Sequence, residues 1–183
     1  MKESSFILNV PKALMQRASN LEIPENHKAL VALDKGLEVI LLEPIVYLAA
    51  DYGAAIGNHW AETRKADTAF FMATDWPRYA KNDRSPTEYH ESFNDFLLSP
   101  QLLIVIGLSY MKTAPSRATL DDVLNRRVQD GKLNLIGGWN MPEGDFKFQP
   151  GQELAADSRS EFPLLHQRSS LPHMALLTSV KGR

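Results

Sequence analysis

His59 and Glu62 stand three residues apart, as do Glu88 and Glu91, with His90 and Asp95 close by in the chain. On a helix that spacing brings each pair to one face, one turn apart. Facing helices with such pairs can hold metal ions between carboxylates and imidazoles. The full Glu-x-x-His repeat of those bundles is missing, so solvated helix faces explain these residues more simply. His166 and His173 show no ligand spacing, and no serine-centred elbow or phosphate-cradling glycine loop is present. The chain has no cysteine, which excludes disulfides, thiolate zinc sites and a cysteine nucleophile. No catalytic residue, metal or cofactor is expected, and a small metal-dependent hydrolase around His59 to Asp95 is the weakest alternative.

A different chemistry is available near the start, in FILNVPKALM. Asn9 can offer one adenine edge both an amide donor and a carbonyl acceptor, and Ile7 can touch a thymine methyl. Asn26 is a good N-cap residue, and free N–H groups at a helix start attract phosphate. Arg117, Arg126, Arg127 and Lys132 form a further cationic set that would suit phosphate contacts. Their simpler reading is as solvated cations complementing a helix C-terminus.

The elements that must position these groups follow from periodicity. Phe6, Leu8 and Val10 alternate with Ser5, Ile7 and Asn9, which predicts one short strand ended by Pro11. Leu14, Ala18 and Leu21 then recur at helical spacing, EIPEN breaks the chain, and HKALVALDKGLEVILLE predicts a second helix up to Pro44. A strand with no nearby partner leaves its backbone groups unpaired, so the partner is expected in a second copy of the chain.

Strand, helix, turn, helix with an unpaired strand resembles the ribbon-helix-helix repressors of the Arc and MetJ type, over roughly residues 4 to 43. The resemblance implies a homodimer whose paired strands enter the major groove of double-stranded DNA. By position, Ser5, Ile7 and Asn9 would face the bases and Asn26, His27 and Lys28 the phosphates. It departs from the family pattern in lacking Lys or Arg among the base-facing three. The resemblance implies a sequence-specific transcriptional regulator; the long extension suggests one of the kind carried on conjugative plasmids and integrative elements, such as the AcaB type. The alternative is a helical interaction protein, an effector, immunity or adaptor protein, whose first strand pairs within the chain.

Beyond Pro44 the expectation is mainly α. The stretch IVYLAADYGAAIGNHWAETRKADTAFFMA has an apolar face with small residues at Ala50, Gly53, Ala54 and Gly57. Ser85 with Pro86 and Glu88 predicts a capped helix. QLLIVIGLSYM is apolar all round and fits a buried helix or a buried strand equally. TLDDVLNRRVQDG predicts a helix capped by Thr119 and ended by Gly131. From Lys132 onward an extended segment and a loosely packed tail are expected. Within it, GGWNMPEGDFKFQPGQELAADSRSE has a faint similarity to a Nudix box, with the wrong interval from Gly144 to Glu153.

The expected organisation is therefore mainly α: a ribbon-helix-helix module in residues 1–44, a helical domain in 45–131 and an irregular segment in 132–183. With 183 residues, 44% of them hydrophobic, the chain can bury a substantial core. A net charge of −2 predicts no whole-molecule attraction to nucleic acid. No apolar run reaches the ~18 to 20 residues of a membrane span and no secretory pattern opens the chain, so a cytoplasmic protein without a membrane partner is expected.

Overall fold

The computed structural model describes residues 7–41, 46–138, 162–169 and 174–177. The opening alternation does form a strand, β1 (Ile7–Leu8), but its partner lies in the same chain. It pairs in parallel with β3 (Thr68–Met72), Ile7 beside Thr68 and Leu8 beside Ala69. The reason for requiring a second subunit is thereby removed.

Each apolar run without alternation is a strand. LEVIL gives β2 (Glu38–Leu41), LLIVI gives β4 (Leu102–Ile106), LNLIG gives β5 (Leu133–Gly137), and Met174–Leu177 form β6. The described strands make one six-stranded sheet in the order β1-β3-β4-β5-β2-β6, with every pairing parallel. A parallel sheet is covered on both faces, so its strands are apolar on both sides and carry no period-two signal.

The described helices are α1 (Lys12–Ala18), α2 (Lys28–Asp34), α3 (Val46–Arg64), α4 (Trp76–Ala80), α5 (Phe93–Leu98), α6 (Ala114–Gln129) and α7 (Pro163–Ser169). Two hydrophobic cores separate them. Val39, Phe70, Ile104 and Leu135 point to the face covered by α1, α2 and α3. Ile40, Phe71, Val105 and Ile136 point to the face covered by α4, α5, α6 and α7. The small residues of α3 serve the sheet: a Cβ on Gly53 would stand 3.2 Å from Ile104 and Ile106, and one on Gly57 would collide with Ile104 and Ile7.

The expectation of a mainly α protein with a ribbon-helix-helix module is therefore overturned; the chain is α/β. The second helix stops at Asp34, Gly36 turns the chain at φ 75°, and β2 begins where the helix was expected to continue. The sheet takes strands from all three segments expected as separate units, 1–44, 45–131 and 132–183. Other boundaries moved as well. Ser85 bonds within its own turn to Thr87, while Ser92 caps α5 by accepting the Asp95 N–H at 3.0 Å. Thr113, not Thr119, caps α6.

At the N-terminal ends of the strands a buried polar network ties α6 and α7 to the sheet. Glu38 accepts from Asn134 Nδ2 at 2.7 Å and from both Nε and an Nη of Arg168, at 2.7 and 3.2 Å. Asp121 accepts the backbone N–H groups of Leu164 and Leu165 at 2.8 and 2.9 Å, which holds the first turn of α7. Burial pushes the Asp121 carboxyl above its ordinary range, against those two hydrogen bonds. Among the described residues no helix is long and apolar enough to cross a membrane.

Candidate functional site

In an open α/β sheet the ligand crevice lies outside the carboxyl ends of the strands, where successive connections leave toward opposite faces. Here two neighbouring pairs qualify: β1 and β3, followed by α1 and α4 on opposite faces, and β2 and β5. The chain leaves β2 for α3 on one face, while α7, the next described helix after β5, covers the other.

Among the described residues, the last positions of the strands are themselves apolar or glycine. β2 ends at Leu41, β3 at Met72 and Ala73, and β4 at Ile106, Gly107 and Leu108. Ala49, near the start of α3, rests on Gly137, where a Cβ would stand 2.9 Å from that of Ala49. Gly107, at φ 85°, donates its N–H to Gly137 O at 2.8 Å. Ser109 closes the edge with two bonds to Gly138 O, from its N–H at 3.2 Å and its hydroxyl at 2.8 Å.

A strand–loop–helix at such a position is where a P-loop holds phosphates, using glycines, a lysine and a serine or threonine. The sequence there is LEPI, residues 42 to 45, outside the described residues. It has no glycine and no cation. Pro44 has no N–H to donate, and Glu43 is acidic. The end of β4 offers Gly107 and Leu108 where a carboxylate would be needed to hold a magnesium ion.

The residues expected to read DNA are scattered. Ser5 lies outside the described residues. Ile7 is buried in the core beneath α3. Asn9 has φ 63°, and its Nδ2 donates to Phe70 O at 3.0 Å, so its amide completes the sheet edge. His27 caps α2, its Nδ1 accepting the Ala29 N–H at 3.2 Å, while Asn26 and Lys28 are exposed.

The other constellations also resolve into local contacts. His59 Nε2 lies 3.4 Å from Glu25 Oε1, and Glu62 accepts from Asn58 at 3.0 Å. His90 meets the Thr87 hydroxyl at 2.9 Å, and Asp95 bonds the Ser99 hydroxyl and the Glu91 N–H. Among the described residues no three His, Cys, Asp or Glu side chains are placed to hold a metal. Arg127, expected at the surface, is fully buried; Arg126 is exposed beside Asp130, and Lys132 bonds the carbonyls of Leu98 and Ser99. His166 falls in α7. The Nudix-like stretch beyond Gly138, and His173, lie outside the described residues.

Asn134 is the polar residue that sequence reasoning missed. Its only signal was an amide inside the apolar run LNLIG. Comparison of the chain with protein-family models and with curated proteins finds no match.

Proposed function

We propose that the protein acts by binding, as a non-catalytic adaptor whose α/β body engages a macromolecular partner. One observation carries this reading. At the carboxyl ends of the strands, among the described residues, α3 packs on the sheet through Ala49 against Gly137, and Ser109 ties the end of β4 to Gly138 after β5. Among the described residues, the ends of β2, β4 and β5 supply neither a phosphate cradle nor a metal-binding carboxylate. The test is calorimetric titration of the full chain with magnesium ATP and with NAD. No saturable heat is expected; micromolar binding of either would overturn the reading.

Sequence-specific DNA binding by a homodimer, regulating the genes of a conjugative element, is the second reading. The exposed Lys28 and Asn26 favour it, and such binding would have to use residues other than Ile7 and Asn9. A gel shift on the DNA upstream of its own gene, at two salt concentrations, decides between the two. A salt-sensitive, sequence-selective shift would replace the adaptor reading with a regulator.

A further inference from the structure

A cleft of about 210 Å³ opens between α1, the turn that follows it and the middle of α3. Its floor is apolar, made by Met15, Leu21, Ile23 and Ala55. Its rim carries Ser19, Asn58, His59 and Glu62. Two of these rim groups donate locally. The Ser19 hydroxyl donates to Gln16 O at 2.9 Å, and Asn58 Nδ2 donates to Glu62 Oε1 at 3.0 Å. The rim residues also carry acceptors: the Asn58 carbonyl, the Ser19 oxygen and the Glu62 carboxylate. His59 Nε2 is shielded from solvent and makes no hydrogen bond, being too poorly aligned with Glu25 Oε1 at 3.4 Å. Glu62 is the one formally charged residue of the lining.

We infer that this cleft is a binding site for a short organic cation, an alkylammonium or alkylguanidinium group on an aliphatic stem. The stem covers the half-buried Met15, Leu21 and Ile23, whose apolar surface otherwise stays wet. The charged head donates to the Glu62 carboxylate and the Asn58 carbonyl, in charge-assisted bonds that a neutral head cannot match. A volume of this size admits one such group and excludes a drug-sized ligand. The site lies on the helical layer, away from the strand ends.

The experiment is a titration of the full chain followed by the imidazole C–H resonances of its histidines. Agmatine represents a free cation, and N-acetyl-arginine methylamide represents a side chain presented by a polypeptide. Saturable movement of the His59 resonances by either is expected, and the one that binds more tightly identifies the source. Glu62→Gln, an exposed position, should weaken binding by roughly tenfold or more; Glu22→Gln, outside the lining, should not. The neutral analogue n-butylurea should bind far more weakly. Absence of any shift at millimolar cation, equal binding of n-butylurea, or unchanged affinity in Glu62→Gln would each overturn the inference.

Discussion

Arg127 and Asn134 join α6 to β5 from inside the protein: the guanidinium Nε donates to Asn134 Oδ1 at 2.8 Å, and neither residue is exposed to solvent. The same guanidinium donates to the carbonyls of Leu97 and Leu133, each at 2.8 Å. Burial pushes its pKa down to about 10, opposed by the charge of Glu38. Arg127→Met would strand three buried acceptors, and a cost of roughly 3–5 kcal/mol is expected. Arg127→Lys should recover little of it, because an ammonium lacks the planar fork. Arg126→Met, at a side chain 66% exposed and 3.9 Å from Asp130, should change stability by less than about 0.5 kcal/mol. Urea unfolding of the three variants checks this, and equal midpoints for the two methionine variants would contradict the buried network.

Asn9→Ala should lower stability rather than DNA affinity. Asn9 holds a left-handed backbone at φ 63° and donates to Phe70 O. Alanine loses the bond and strains the backbone, together about 1–3 kcal/mol. Asn9→Gly keeps the backbone geometry and should fall between alanine and the parent. Thermal melts rank the three. If Asn9→Ala melts like the parent but loses operator binding, the residue reads a groove after all.

What was legible in the sequence depended on periodicity. The helices α1, α3 and α6 were visible because each alternates a buried stripe with a polar one. The strands LEVIL and TAFFM were not, because both of their faces are buried and nothing in a short apolar run separates strand from helix; LNLIG falls in the segment from Lys132 that is expected to be extended. LLIVI was left open between the two for the same reason. The first strand finds its partner in β3, 61 residues on in the register, within a stretch whose apolar face reads as a helix, so periodicity shows no internal partner. Arg127 was misplaced because an arginine beside another arginine near a helix end has the pattern of a solvated cation. Its burial becomes intelligible only through Asn134 and the carbonyls it meets across the fold.

Gly137→Ala tests the packing of α3 on the end of β5 directly. A Cβ there would stand 2.9 Å from both Ala49 Cβ and Ile106 Cδ1, and the alanine, fixed to the α3 backbone, has no rotamer by which to retreat. Pushing α3 away from β5 should cost about 1–3 kcal/mol. Ala49→Gly in the same background should return part of it by vacating the contact. Denaturant midpoints of the single and double variants give the coupling between the two sites. Strictly additive effects would show that α3 does not seal the sheet at that point.

The last expectation concerns pH and His27. Its Nδ1 accepts the Ala29 N–H at 3.2 Å and so must be unprotonated to cap α2. Burial, with the adjacent Lys28 charge, holds the imidazole below its ordinary pKa of 6.5. For a base depressed in the folded state, the unfolded chain takes up the proton first. The contribution of His27 is therefore complete above pH 6.5 and is lost as pH falls through that value and the lower folded one. An N-cap is worth about 1 kcal/mol, which sets the scale of the loss. His27→Asn supplies an acceptor at every pH, so its stability should fall less than the parent's between about pH 7 and pH 5. The difference between the two urea-unfolding profiles isolates His27. Parallel profiles across that interval would mean that α2 does not depend on an unprotonated His27.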